Sequence, residues 1–156
     1  MRPVIVLDMD ETLLHTPEEQ FQDRFDGEIE SIPRPGLHEF IESVKQIGEV
    51  WILSAGDASY IPLALASVGI YNKVKGWRSS RNGRSGMSSI LTGRRWVLVD
   101  DRPASTDLTR SKLIQCGGIH RGGNLIVVKP FTGDKRDRVL SGLPGLIGMD
   151  LILRGM

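Results

Sequence analysis

Val4-Ile5-Val6-Leu7-Asp8-Met9-Asp10-Glu11-Thr12 opens with four apolar residues that run straight into a carboxylate-rich turn. A short, continuous apolar run is what a strand covered on both faces requires. Two later runs end the same way: Val50-Trp51-Ile52-Leu53 passes into Ser54-Ala55-Gly56-Asp57, and Trp96-Val97-Leu98-Val99 into Asp100-Asp101. Leu125-Ile126-Val127-Val128 reads as a fourth strand, and 73–77 as an edge strand. Leu37, Phe40, Ile41, Val44 and Ile47 keep helical spacing, with Pro35 at the start and Gly48 just past the end. A second helix is expected over about 58–68, capped by Asp57, stopped by Gly69 and kinked at Pro62. Residues 78–93 are rich in Ser, Gly and Arg and read mostly as loop. Strands alternating with helices predict an α/β fold, a mainly parallel sheet with helices on both faces, in one domain over 1–156.

The 156 residues are 40% hydrophobic and 25% charged, the composition of an ordinary globular domain. The single Cys116 excludes a disulfide framework and a CxxC zinc site. No apolar run approaches a membrane span, and Asp8 and Asp10 interrupt what a secretion signal would keep apolar. An intracellular, soluble protein with no membrane contact is therefore expected, cytoplasmic or nuclear; nothing specifies a partner protein. The net charge of +1 hides an asymmetry: residues 1–57 hold thirteen acids and four Lys/Arg, whereas 58–156 hold six acids and sixteen. That division predicts either two mutually attracting faces or a cation-lined approach for an anionic substrate. In the second case the best substrate carries several negative charges, and its turnover falls steeply with salt.

In an open parallel sheet the carboxyl ends of the strands share one edge, so residues 8, 10, 54 and 100 are expected to meet there. Carboxylates so crowded repel one another unless a divalent cation joins them, and oxygen ligands of this kind suit Mg²⁺. An Asp at such an edge can attack phosphorus, and a second carboxylate two residues on can protonate the leaving oxygen and later activate water. Asp8, Asp10, Thr12 and Glu19 also fall at positions 1, 3, 5 and 12 of an EF-hand loop, but Leu13 replaces the required glycine and Pro17 lies inside. A phospho-acceptor receiver domain places its acidic pair first and its phosphorylated Asp later, the reverse of the order here. Turn and cap roles account for any one of these acids, and poorly for three strand ends together.

Asp8-Met9-Asp10-Glu11-Thr12-Leu13-Leu14-His15 resembles the DxDxT signature of haloacid dehalogenase (HAD) superfamily phosphohydrolases. More narrowly it is similar to the DLDETLVH form of phosphatases acting on the carboxy-terminal domain of RNA polymerase II. Arg34-Pro35-Gly36-Leu37-His38-Glu39-Phe40 is similar to that group's RPxxxEF, 97–105 to its acidic strand end, and 130–146 to its closing GDxxDxxLxxLxP segment. The resemblance implies a HAD-like (Rossmannoid) fold with little or no cap, since only about 26 residues separate Asp8 from Arg34 and about 42 separate Asp57 from Asp100. It implies Asp8 as nucleophile, Asp10 as general acid/base, Thr12 as loop support, and Ser54 and Ala55 as phosphoryl binders. Mg²⁺ would be held by Asp8, Asp10 through its backbone carbonyl, Asp100 and Asp101. The lysine that the group carries before the acidic strand end has no counterpart over 80–85, where only Arg81 and Arg84 stand. Its role is expected of Arg84, then Arg81, with Arg78 and Lys75 further off. The implied activity is hydrolysis of a phosphomonoester through an aspartyl-phosphate, on a phosphoprotein. A polynucleotide 3′- or 5′-phosphatase or nucleotidase, and a non-catalytic phosphate-binding module, are the alternatives.

Overall fold

The computed structural model describes residues 1–21, 28–81, 83, 85–118 and 121–154. In chain order these form β1 (Val4–Leu7), β2 (Leu14–His15), β3 (Ile32–Pro33), α1 (Leu37–Ile47), β4 (Glu49–Ser54), α2 (Ile61–Ser67), β5 (Gly76–Ser79), α3 (Met87–Leu91), β6 (Trp96–Asp100), α4 (Asp107–Gln115), β7 (Gly123–Val127) and α5 (Val139–Arg154). Five strands make one parallel sheet in the order β5-β4-β1-β6-β7. The chain thus winds outward from β1 on one side, then returns to β1's other flank with β6. Strand order reverses between β1 and β6, and it is beyond the strand ends at such a reversal that sheets of this kind place their ligands.

Alternation along β1 divides the core. Ile5 and Leu7 join Phe40, Ile41 and Val44 of α1, Leu65 of α2, and Leu143 and Ile147 of α5; Val4 and Val6 join Met87, Leu91 and Leu113 on the opposite face. Both outer pairings are set by an indole lying over a glycine. Trp51 is in register with Gly76, and Trp96 with Gly123. A Cβ at Gly123 would stand 1.9 Å from Trp96 Cε2, and one at Gly76 2.6 Å from Trp51 Cζ3, so glycine is what lets each indole cover its neighbour.

Several boundaries differ from expectation. The edge strand is 76–79 rather than 73–77, and β7 begins at Gly123 rather than Leu125. The stretch 78–93, read mostly as loop, holds the last two residues of β5 and the short α3 at Met87–Leu91; its other described residues form neither helix nor strand. The second helix starts at Ile61, so Pro62 sits in its first turn, where a missing N–H removes no helical bond and no kink results. Asp57 caps the turn before it instead: Ser59 N and Oγ both donate to Asp57 Oδ1, at 3.1 and 3.2 Å. Between β1 and α1 the described residues add only the antiparallel β2–β3 pair and one 3-10 turn at Glu18–Phe21. Among the described residues, no helix is long and apolar enough to cross a membrane.

Candidate active site

Asp8 directly follows β1, and Asp100 ends the adjacent β6, which places both carboxylates at the reversal of strand order. Asp8 N donates to Val99 O at 2.9 Å and so fixes the first residue past the strand. Thr12 Oγ1 donates to Asp8 Oδ2 at 2.8 Å and faces Asp101 Oδ1 at 3.4 Å. Carboxylate oxygens of Asp8, Asp100 and Asp101 lie within 4.8 Å of one another. The Asp10 carboxylate is outside that group and accepts from Tyr60 Oη at 2.7 Å. Ser54 ends β4 beside β1, is buried, and its Oγ accepts from Gly56 N at 3.0 Å. Ala55, half-buried, is the next residue along that turn.

Among the described residues the cation of the cluster is Lys112, a residue that no motif in the sequence singles out. From α4, Lys112 Nζ donates to Asp8 Oδ1 at 2.5 Å and to Asp100 Oδ2 at 3.0 Å, and the residue is only 3% exposed. It lies twelve residues after Asp100, whereas the family resemblance directs attention upstream. The arginines named for this role are elsewhere. Arg81 is 61% exposed along its side chain and pairs with Asp57 at 3.4 Å. Arg78 lies over the Trp51 ring, its Cζ 4.8 Å from the centroid. Arg84 lies outside the described residues. One signal points to Lys112: Thr109, Lys112, Leu113 and Cys116 share a helical face, all buried. The opposing signal is stronger, because the apolar Leu108 and Ile114 of the same helix point to solvent.

Burial governs the electrostatics. It raises the pKa of Asp8, against the opposing charge and hydrogen bond of Lys112. It raises Asp100 as well, with the Asp8 charge adding to the effect, and it raises Asp101. Asp10 is pushed up to about 6, again chiefly by burial, with Tyr60's hydrogen bond opposing. Burial works against the charge on Lys112, but Asp8 and Asp100 together hold its pKa above the usual lysine range. Among the described residues one ammonium therefore stands against two buried carboxylates and the half-buried Asp101. That excess of negative charge and the all-oxygen donor set fit a hard divalent cation such as Mg²⁺, which takes one or two carboxylates and keeps sites for water and phosphate.

The turn carrying Asp10 is held from behind by a buried guanidinium. Glu11 has a φ of 65°, in the left-handed region where a side chain costs on the order of 1–2 kcal/mol. Its carbonyl accepts from Phe131 N at 2.7 Å and from Arg34 Nη1 at 3.4 Å. Arg34 Nη1 also donates to Thr12 O at 3.1 Å, and Nη2 to Lys129 O at 2.6 Å. Asp137 completes the clamp: Arg34 Nε and Nη2 reach its two oxygens at 2.9 Å each, and Asp137 Oδ1 accepts from Val139 N at the start of α5. Two of the weaker sequence segments, at 34–40 and 130–146, thus meet in one ion pair.

Asp137→Ala leaves the Arg34 charge buried with carbonyl partners alone and is expected to destabilise the fold by about 3–5 kcal/mol, read from urea unfolding at neutral pH. Partial burial opposes the Asp137 charge, but Arg34 outweighs it and holds the carboxyl below the usual range. The pair's stabilisation is therefore complete above the unfolded value of about 3.9 and is lost as pH falls through the lower native value. The gap between wild type and Asp137→Ala should close over that acid window. A constant gap down to pH of about 2 would place the stabilisation outside this ion pair.

The family of NLI interacting factor-like phosphatases matches residues 3–150, and the chain belongs to it. It is a phosphatase of HAD type, which sets aside the non-catalytic reading. Its fold is that of a HAD-like family hydrolase from Xanthomonas campestris, at a TM-score of 0.68 and 11% identity, covering 99% of this chain and 98% of that one. The HAD domain of the effector Lem4 from Legionella pneumophila is similar at 0.57 and 14%, with 99% and 98% covered. The RNA polymerase II CTD phosphatase Fcp1 of fission yeast, solved with beryllium fluoride, is similar at 0.51 and 16%, over 98% of this chain and 51% of that one. No curated protein matches the chain in sequence.

Proposed function

We propose that this phosphatase hydrolyses phosphomonoesters with Mg²⁺ through an aspartyl-phosphate on Asp8, and that Lys112 supplies the cation lacking upstream of the acidic strand end. The observation that carries this reading is the Lys112 ammonium lying between Asp8 and Asp100, beside Asp101. Asp8, Asp100 and Asp101 would hold the metal, whose charge offsets that of the phosphoryl oxygens. Lys112 opposes the burial that disfavours the Asp8 charge and orients the carboxylate through Oδ1, leaving it poised to attack phosphorus. As the bond from Asp8 to phosphorus forms and the ester bond breaks, Asp10 gives its proton to the leaving oxygen. Asp10 then takes a proton from the water that attacks phosphorus, releasing inorganic phosphate and restoring Asp8. Tyr60 holds Asp10 Oδ1, which leaves Oδ2 to carry that proton. Ser54, at the end of β4, would donate its hydroxyl to the phosphoryl oxygens.

By likeness to the fission yeast phosphatase, whose substrate is the CTD of RNA polymerase II, we read the substrate as a phosphorylated protein. A polynucleotide or nucleotide phosphate is the competing outcome of a substrate panel. The chemistry is tested with an aryl phosphate: turnover is expected in Mg²⁺, lost with EDTA, and regained when Mg²⁺ is restored in excess. Turnover that survives exhaustive EDTA treatment would remove the metal from this reading.

A further inference from the structure

The basic half of the chain is only partly neutralised by the acidic half. Lys73, Arg81 and Arg94 pair with Glu42, Asp57 and Glu49. Lys75 and Arg78 form no ion pair among the described residues, and both line a groove of about 880 Å³ along β5. Arg81 and Asp57 close one end of that groove, and the same two residues border a second cavity that reaches Asp10. The groove therefore adjoins, at the Arg81–Asp57 pair, the cavity that reaches Asp10. Among the described residues β5 pairs with β4 alone, so its other edge is open along Gly76–Ser79. An open strand edge presents backbone donors and acceptors that another polypeptide can pair with, and a nucleic acid has no matching ladder.

Resting on the phosphatase reading above, we infer that this groove docks an acidic segment of a polypeptide substrate, added as a strand beside β5 while its phosphorylated residue reaches Asp8. Lys75 and Arg78 would face the acidic side chains. Strands lie about 4.8 Å apart, so a strand added outside β5 runs about 14 Å from β1. About four extended residues, at roughly 3.3 Å each, span that distance. The acidic segment therefore stands four to five residues from the phosphate.

The test uses the full chain and two readouts. A fluorescent acidic peptide without phosphate, read by anisotropy, reports the groove independently of chemistry. It is expected to bind wild type about tenfold more tightly than a Ser/Gly peptide of the same length, at about 50 mM salt. That preference should vanish in Lys75→Glu/Arg78→Glu, at about 500 mM salt, and when alternate residues of the acidic segment are proline. Because Arg78 stacks on Trp51, the exposed Lys75→Glu alone is the second variant, expected to lose part of the preference. In turnover, a phosphoserine peptide with the acidic segment four to five residues away should exceed its neutral counterpart by a similar factor. Aryl phosphate turnover by both variants should match wild type. Equal binding of acidic and neutral peptides, an undiminished preference in the double variant, or indifference to proline would overturn the docking. So would a phosphorylated oligonucleotide alone depending on Lys75 and Arg78. Wild type that binds the acidic peptide selectively yet never turns over aryl phosphate would instead count against the chemistry and leave the groove standing.

Discussion

Asp8→Asn is expected to reduce aryl phosphate turnover by a factor on the order of 10⁴ to 10⁶, the loss that follows removal of a covalent nucleophile. An amide oxygen cannot form the acyl phosphate, so no phosphate should be found on the protein by mass spectrometry after quenching with acid. The fold should persist. Thr12 Oγ1 can still donate to the residue at 8, and Lys112 keeps Asp100. The substitution also removes a buried charge that burial already disfavours. Thermal unfolding should therefore show a cooperative transition close to that of wild type. A folded Asp8→Asn protein turning over at the wild-type rate would sink the aspartyl-phosphate route.

Lys112→Met is expected to lower kcat/KM by about 10² to 10³, the usual loss on removing one preorganised electrostatic group from a reacting centre. It should also carry a signature in stability that a surface lysine would not. Without its ammonium, Asp8 and Asp100 lose the one cation among the described residues that opposes burial there, so their folded pKa values rise further above the unfolded value. The folded state then binds more protons than the unfolded state. Stability of the metal-free variant is full below the unfolded value of about 3.9 and falls as pH rises through the folded values. Added Mg²⁺ should recover much of that loss, measured as the urea midpoint at pH of about 5, 6 and 7 with and without the metal. A Lys112→Met enzyme with unchanged kcat/KM, beside an Arg81→Ala or Arg84→Ala enzyme that has lost it, would return the role to the 78–84 loop.

Much of this is legible in one dimension. The apolar runs at 4–7, 50–53 and 96–99 suit strands buried on both sides, and three polar strand ends can share an edge only if the sheet is parallel. Asp8, Asp10, Ser54 and Asp100 follow from that rule, because each is the first polar residue after a strand or lies close behind it, whereas Thr12 and Asp101 come from the family resemblance. Local rules also locate the end of α1 to the residue, since Gly48 follows the last helical apolar position. They err where two rules compete. Capping rules start the second helix right after Asp57 and so put Pro62 inside it, although Asp57 closes a turn of its own before α2 begins at Ile61.

What the strand pattern could not supply was the charge balance of the site, because that depends on which face of each helix lies over the carboxylates. Periodicity selects no face of α4, because Leu108, Leu113 and Ile114 point in different directions around it, and in the fold Ile114 is 70% exposed while Lys112 is buried. Lys112 is inside because Asp8 and Asp100 lie beneath it, whereas Leu113 and Cys116 of the same helix reach the apolar cluster. Helical spacing of apolar residues finds the buried face only where that floor is apolar. The Arg34–Asp137 clamp was hidden for a related reason: its partners lie 103 residues apart, and an ion pair leaves no periodic trace in sequence. Composition and local spacing thus determined the sheet and its acidic edge, whereas the cations that make the edge stable were placed by packing across the chain.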